Sequence, residues 1–253
     1  MAFTRIAAIG AVLAGLVAAP AFAQENMEPP AQDWSFSGPF GTYDKASAQR
    51  GFQIYKEVCS SCHSMKQAYY RNLEGIGLSA EQVKAIAATV DIDTIDDDGQ
   101  PTTRKGAPSD HFKAPFPNEK AARAGNAGAL PPDQSVLVKA REGGPDYIYA
   151  LLTGYSDPPA GMTLGDGMNY NRWFAGHQIA MAAPLTDGRV DYADGTKATL
   201  EQEARDVTTF LAFIANPEME QRKRIGIRVV LFLAFLTCVT YAVKRQIWSD
   251  VHH

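Results

Sequence analysis

The chain has 253 residues, of which 21% are charged and 45% hydrophobic, and this length is enough for one domain with a substantial core. Residues 24–221 contain 17 Lys and Arg against 27 Asp and Glu, so this part has a formal charge of −10, while the whole chain has −4. Such an acidic surface attracts basic partners and argues against nucleic acid as a partner.

Residues 1–23 have the pattern of a cleaved secretory signal peptide. Arg5 is followed by the apolar stretch 6–19, and Ala21-Phe22-Ala23 is a small-x-small cleavage sequence. A membrane anchor is the alternative, but the stretch is short for one. We therefore expect a mature chain that begins at residue 24 and is exported across the bacterial inner membrane.

The first part of the mature chain predicts an extended segment followed by a helix. Residues 24–44 contain Gly, Pro and four aromatic residues that we expect to pin the segment to the domain: Trp34, Phe36, Phe40 and Tyr43. Residues 45–58 then place apolar side chains at helical spacing, which predicts an amphipathic helix.

That helix leads into Cys59-Ser60-Ser61-Cys62-His63, the attachment signature of a c-type haem. Positions i, i+3 and i+4 share one face of a helical turn, so two sulfurs and one imidazole can meet a flat porphyrin. We predict one covalently bound haem c, with thioether bonds from Cys59 and Cys62 and iron ligation by His63. A redox dithiol or half of a zinc site is the alternative, but the only other cysteine, Cys238, lies in an apolar segment.

The middle of the chain predicts short elements separated by loops. Ser79 and Gln82 form a capping box for a helix that ends near Val90. The five aspartates in 91–99 predict a solvated loop or a docking surface for a basic partner, since a calcium loop would need a different spacing and a terminal Glu. Further predictions are long loops at 102–132 and 154–171, short helices at 135–142 and 145–153, and hairpin signals at 186–196.

Two helices are predicted towards the C-terminus. Thr199 caps a helix that Asn216-Pro217 stops. Residues 225–243 contain one charge, Arg228, and would span about 28 Å as a helix, close to the hydrocarbon thickness of a bilayer. A buried core helix is the alternative to a single transmembrane helix.

The signal peptide and this helix together predict four regions. We expect a cleaved signal peptide at 1–23, a periplasmic haem domain at 24–221, an anchor with its flanks at 222–245, and a cytoplasmic tail at 246–253. More basic residues precede the helix than follow it, so this orientation depends on the signal peptide and not on the positive-inside rule.

The haem iron has a second axial position, which is either filled by another side chain or left open. The candidates after the haem motif are Met65, Met162, Met168, Met181, Met219, His111 and His177. Met65 is too close in sequence to reach the opposite face, and Met219 lies beside the anchor. Met181 lies in an apolar loop, 179–185, that could hold a thioether on the iron and keep water out. The alternative for each methionine is core packing.

Four stretches resemble the cytochrome c1 family, the haem-c subunits of the cytochrome bc1 complex (ubiquinol–cytochrome c reductase). They are residues 50–63, 123–133, 146–155 and 179–185, and the most specific is Asn126-Ala127-Gly128-Ala129-Leu130-Pro131-Pro132-Asp133. The resemblance implies a mainly α cytochrome c-type haem domain with long irregular loops and a C-terminal transmembrane helix. It places the axial methionine on Met181 and an arginine beside the haem propionates on Arg123.

The resemblance also implies a role and partners. The chain would be an electron-transfer subunit, not itself catalytic, that takes electrons from the Rieske iron–sulfur protein and passes them to a cytochrome c acceptor, beside cytochrome b. Two features depart from the family pattern: Gln134 stands where an apolar residue is expected, and Ala182-Ala183 replaces a more Pro-rich run. Alternatives are a stand-alone anchored cytochrome that donates to an oxidase or reaction centre, and a haem enzyme with an open iron.

Overall fold

The computed structural model describes residues 28–250, so the predicted signal peptide at 1–23 lies outside the described residues. The described part is mainly helical, which confirms the predicted fold class. Its α-helices are α1 (Lys45–Glu57), α2 (Ala80–Ala87), α3 (Glu119–Gly125), α4 (Gly144–Thr153), α5 (Leu200–Ala215) and α6 (Met219–Ile247). Its antiparallel strand pairs are β1 (Asp91–Ile95) with β2 (Pro101–Lys105), and β3 (Asn169–Tyr170) with β4 (Gln178–Ile179).

The core is built where α1 crosses α5. A Cβ added at Gly51 would lie 2.0 Å from the backbone oxygen of Asp206, so only glycine permits this close approach of the two helices. Beside the crossing, the ring of Phe210 lies 5.6 Å from that of Phe52 and 5.8 Å from that of Tyr55, centroid to centroid. Burial of these rings supplies much of the apolar area that holds the two helices together.

A buried carboxylate fixes the register of the crossing. Asp206 is fully buried and accepts hydrogen bonds from Ser47 Oγ (2.6 Å), from Gln202 Nε2 (3.0 Å), and from Nε and Nη2 of Arg50 (2.8 and 3.0 Å). Arg50 also pairs with Asp194 through Nη1 at 2.9 Å. A buried charge is tolerated only when its partners are all in place, so α1 can slide little along α5.

Most predicted helices form where the sequence predicts them. Asp44 Oδ1 accepts from Ser47 N at the start of α1, and the Ser79–Gln82 capping box opens α2. Thr199 Oγ1 accepts from Gln202 N at the start of α5, which ends at Ala215 as expected.

Four predictions for the segments between the main helices were wrong or incomplete. The aspartate-rich segment is not a loop throughout, because residues 91–95 form β1 and pair with β2. The segment 102–132, predicted to be irregular, contains most of β2 and all of α3. Residues 135–142 form turns instead of a helix, and 186–196 form turns without a strand. Local composition signals chain reversals well, but strand pairing depends on a partner segment that composition does not identify.

The last helix, α6, is long and apolar enough to cross a membrane, and it is the only such helix among residues 28–250. It has 29 residues, and the apolar window is not buried by the domain. These features suggest a single-pass membrane anchor.

The first turn of α6 belongs to the domain. Met219 is buried in the core, although its position in the sequence suggested a place beside the anchor, away from the core. Only three residues separate α5 from α6, and Tyr43 Oη donates to the carbonyls of Ala212 (3.0 Å) and Asn216 (3.3 Å) at this junction. The junction therefore contains a packed turn instead of a flexible linker.

Gly51→Ala is expected to lower the free energy of unfolding by about 1–3 kcal/mol, because the new Cβ would overlap the α5 backbone. Gly226→Ala in α6 is a matched control: this glycine is also helical, and an added Cβ would have nothing within 4 Å. The control should be neutral or slightly stabilising through helix propensity. Denaturant unfolding in detergent, followed by circular dichroism, compares the two. Equal stability of both variants would contradict the close crossing.

Candidate functional site

The three residues of the haem signature lie on one tight turn that directly follows α1. Residues 59–61 form a 3₁₀ turn, in which Cys62 N and His63 N both donate to the carbonyl of Cys59, at 3.1 and 2.9 Å. Tyr55 Oη, one turn earlier in α1, lies 3.5 Å from the carbonyl of His63. The local fold therefore brings Cys59, Cys62 and His63 together, as the sequence predicts.

A distant segment, residues 132–135, is hydrogen-bonded to this turn along its length. Gln134 N donates to Ser64 O (2.8 Å), and Gln67 N donates to Ser135 Oγ (2.9 Å). Asp133 Oδ2 accepts from Ser64 Oγ (2.8 Å) and from Lys66 N (2.9 Å). These bonds join segments almost 70 positions apart, so the Pro-Pro-Asp stretch acts as a brace for the haem-motif turn.

The same brace orients the imidazole of His63. Its Nδ1 lies 2.8 Å from the carbonyl oxygen of Pro132. A carbonyl can only accept, so Nδ1 carries the proton and Nε2 keeps its lone pair. Burial lowers the pKa of His63, which keeps the ring neutral at pH 7. A neutral imidazole that donates its second N–H to a backbone carbonyl is the arrangement found in metal-ligating histidines.

The Cys59 thiol and the nearby side chains do not favour a redox dithiol or a zinc site. Burial raises the pKa of the Cys59 thiol to about 12, against an opposing hydrogen bond from Gln134. A redox dithiol needs the opposite shift, towards a reactive thiolate. A zinc site needs about four ligands, and residues 28–250 contain no group of three or more His, Cys, Asp or Glu side chains placed to hold a metal. The donor set therefore fits a covalently attached haem.

Gln134 is one of the two positions where this chain departs from the family pattern. The residue is buried, with 6% of its surface exposed, at a position where the family resemblance predicts an apolar side chain. Its backbone N–H is used by the brace, whereas its Oε1 has no hydrogen-bond partner among the described residues. The polar side chain is thus accommodated beside Cys59 at some cost in stability.

Arg123 lies in the last turn of α3, on the approach to the brace. Its carbonyl accepts from Gly128 N (2.8 Å), and its Nη1 lies 3.2 Å from the carbonyl of Gly128. Gly128 has a φ of +88°, so the helix ends in a left-handed turn that leads into the two prolines. Arg123 is exposed, and the bond to Gly128 is the only hydrogen bond of its side chain among the described residues.

Met181 lies in the loop that follows β4 and is partly buried. Its carbonyl accepts a hydrogen bond from Tyr155 Oη at 3.1 Å, which ties the loop to the end of α4. No contact described here joins this loop to the Cys59–His63 turn, so its axial role stays a prediction. Of the other candidates, Met65 is fully buried, and the ring of His111 packs at a tilt of 33° against that of Tyr69, with the centroids 3.9 Å apart.

The sequence analysis missed the residues that support the site. Asp133 and Ser64 carry no catalytic signature, and Tyr155 resembles any core tyrosine. The one available signal was the position of Asp133 directly after two prolines, where a carboxylate can cap the following backbone N–H groups. Indeed Asp133 Oδ1 accepts from Ser135 N at 2.9 Å.

Asp133→Ala is expected to lower the free energy of unfolding by about 1–3 kcal/mol at pH 7, because three hydrogen bonds lose their acceptor. Burial alone would raise the pKa of Asp133, but the hydrogen bonds from Ser135, Lys66 and Ser64 outweigh it and lower that pKa. Its stabilising effect is therefore present above the ordinary aspartate pKa and is lost as the pH falls through the lowered value.

Denaturant unfolding of the haem-loaded protein between pH 7 and pH 3 tests this expectation. Asp97→Ala, in the exposed turn of the β1–β2 hairpin, is the matched control and should change little at any pH. A difference between the two variants that stays constant down to pH 3 would argue against the brace carboxylate.

The comparisons with known proteins agree with this site. Residues 34–251 match the Cytochrome C1 family. The chain is 48% identical over 231 residues to the protein named cytochrome c1, heme protein, mitochondrial, of Saccharomyces cerevisiae, covering 90% of this chain and 75% of that protein. It is 45% identical over 239 residues to cytochrome c1 of Rhodospirillum rubrum, covering 88% of each. It is also 46% identical over 231 residues to the cytochrome b-c1 complex catalytic subunit, mitochondrial, of Candida albicans, covering 90% of this chain and 80% of that protein. The family match spans most of the sequence, and the chain therefore belongs to the cytochrome c1 family.

Proposed function

We propose that this chain is the electron-transfer subunit of a quinol–cytochrome c oxidoreductase complex and that it carries one covalent haem c. The observation that supports this most directly is the Cys59–His63 turn with its imidazole held by the carbonyl of Pro132. Family membership supports the same conclusion, since several relatives are named as haem proteins and one as a subunit of the cytochrome b-c1 complex.

Each residue of the turn has a distinct task in this proposal. Cys59 and Cys62 hold the porphyrin through thioether bonds, and His63 offers Nε2 to the iron. When bound, haem c supplies a one-electron iron couple. The bond from His63 Nδ1 to Pro132 keeps the ring from rotating, so the ligand remains in place in both oxidation states.

Met181 is proposed as the second axial ligand. The hydrogen bond from Tyr155 to its carbonyl fixes the backbone of the loop, which limits how far the thioether can move. A thioether ligand favours the reduced state and closes the iron to small molecules, so the site suits electron transfer better than catalysis. The Tyr155 bond is thus a noncovalent tie for the loop.

Arg123 is proposed to pair with a haem propionate. Its guanidinium group is held near Gly128 at one end, on the same stretch that leads to Pro132. A cation beside a propionate compensates the cost of shielding that carboxylate from water. The forked geometry of arginine suits a bidentate contact with a carboxylate.

The proposed location is the bacterial inner membrane. The apolar α6 supports a single-pass anchor. The N-terminal export signal supports a periplasmic haem domain at 24–221, with 222–245 in the anchor and 246–253 in the cytoplasm. The helix itself begins at Met219, so its first turn lies within the periplasmic domain.

The proposed partners follow from charge and family. Cytochrome b is the neighbouring subunit, the Rieske iron–sulfur protein is the electron donor, and a cytochrome c is the acceptor. The formal charge of −10 on residues 24–221 supports the docking of a basic cytochrome c, with the aspartate-rich run Asp91–Asp98 as one contact region. Nucleic acid is not an expected partner.

Met181→Leu is expected to abolish the thioether-to-iron charge-transfer absorption and to lower the haem midpoint potential strongly, because the iron loses a soft axial ligand. Visible absorption spectra and redox titration of the purified haem protein measure both effects. Met168→Leu and Met162→Leu are matched controls in the 154–171 loop. A normal spectrum in Met181→Leu and an altered one in a control would reassign the ligand.

Purification from membranes tests the complex. The chain is expected to co-purify with cytochrome b and an iron–sulfur protein, and subunit identification by mass spectrometry checks this. Recovery of a lone haem protein that reduces an oxidase directly would favour the alternative, a stand-alone anchored cytochrome.

A further inference from the structure

One aromatic side chain near the anchor points away from the domain. In the segment 34–43, hereafter the Phe40 loop, three rings pack against one another: the Trp34 and Phe36 centroids lie 5.4 Å apart, and those of Phe36 and Tyr43 lie 5.2 Å apart. Phe40 does not join them and is 79% exposed, the highest value for a large apolar residue among residues 28–250. The sequence-based expectation that Phe40 helps to pin the segment was therefore wrong.

The loop is built to hold Phe40 in this position. Ser37 N donates to Trp34 O (2.9 Å) and Thr42 N donates to Ser35 O (3.0 Å), which closes the loop on both sides of the tip. Gly41 approaches the backbone so closely that a Cβ there would lie 2.0 Å from Ser37 O. A single exposed phenylalanine is common on protein surfaces, so its significance depends on where the loop holds it.

The loop is also fastened to the start of α6. Lys223 Nζ donates to the carbonyls of Phe36 (2.8 Å) and Gly41 (3.0 Å), on either side of the tip. Glu220 Oε1 accepts from Tyr43 N at 2.8 Å. Lys223 lies two residues before Ile225, where the apolar span begins, a rise of about 3 Å along the helix. The Phe40 loop therefore lies at the level where α6 would enter a bilayer.

The charges at this level differ from those of the rest of the domain. Residues 24–221 are strongly acidic, yet the start of the helix carries four basic residues, Arg222, Lys223, Arg224 and Arg228. Arg222, Arg224 and Arg228 are exposed. Aromatic rings together with Lys and Arg are the side chains that favour the headgroup region, where a ring can enter the boundary and a cation can meet phosphate.

We propose that the Phe40 loop inserts into the outer bilayer interface and forms a second membrane contact beside α6. A single helix allows a domain to tilt about its entry point, whereas two contacts restrict the tilt. The loop directly precedes α1, whose 13 residues span about 20 Å and end at the haem-motif turn. Seating Phe40 in lipid would thus set how the Cys59–His63 turn faces the membrane. The inference depends on α6 as an anchor but not on electron transfer.

Spin labelling tests this contact in the full-length haem-loaded protein. Phe40→Cys is made with Cys238→Ser, and Cys59 and Cys62 are consumed by the haem. The labelled protein is reconstituted in vesicles of phosphatidylcholine and phosphatidylglycerol, and power saturation gives collision rates with oxygen, which concentrates in lipid, and with a water-soluble nickel chelate. Ile95→Cys is the matched control, because Ile95 is also a large apolar residue and is 70% exposed. It lies in β1, and Val90, just before β1, lines a cleft with Tyr55 and Ser60 at the haem end of α1.

The expected result is an oxygen-to-nickel ratio at Phe40→Cys at least about threefold above that at Ile95→Cys, as for a label within the interface. Equal ratios at the two positions would overturn the proposal. The measurement is repeated in the purified complex after reconstitution. Low collision rates with both reagents there would assign the Phe40 loop to a protein neighbour and would also overturn it.

Discussion

The hydrogen bond from His63 Nδ1 to the carbonyl of Pro132 is the contact on which the rest of the site depends. It decides which ring nitrogen is left for a metal. Because the acceptor is a backbone carbonyl, a substitution of Pro132 does not remove it. The neighbouring bonds of Asp133, Gln134 and Ser135 hold that carbonyl in position. The long segment between the haem motif and Pro132 thus serves to return the chain to the imidazole.

The scaffold behind the site also depends on a few specific contacts, those at the crossing of α1 and α5. Gly51 lets α1 approach α5, and Asp206 then binds groups from both helices, so the direction of α1 is set before the haem-motif turn begins. The turn inherits this direction because it follows α1 without an intervening loop. A change in the packing of α1 on α5 would therefore displace both thiols and the imidazole together. Loss of hydrogen bonds in the brace would disturb mainly the imidazole.

The sequence predicts what is encoded within a few neighbouring residues. The spacing of Cys59, Cys62 and His63, the caps of α2 and α5, and the apolar span of α6 are local signals, and all of them appear in the fold. Contacts between distant segments are not local signals. Neither the pairing of β1 with β2 nor the burial of Met219 could be read from composition, because each depends on what the rest of the chain places opposite.

The brace shows the same limit inside the site. The Pro131-Pro132-Asp133 stretch could be identified as specific to a family, but its physical role emerges only when its carbonyl is found against His63. Phe40 is a converse case, since its aromatic neighbours pack inward and its own ring does not. Hydrophobicity alone predicts burial, and it gives no means of distinguishing a core side chain from one held out by a shaped loop.

The junction between α5 and α6 has a consequence for how electrons are exchanged. Tyr43, Glu220 and Lys223 form hydrogen bonds that join the domain to the start of α6, so the junction is not a flexible linker on which the domain could swing alone. A redox centre held in such a domain moves only together with the helix, which limits how far it can travel between two distant partners. Any long excursion in the electron path would therefore fall mainly to the donor or the acceptor, each arriving at the haem.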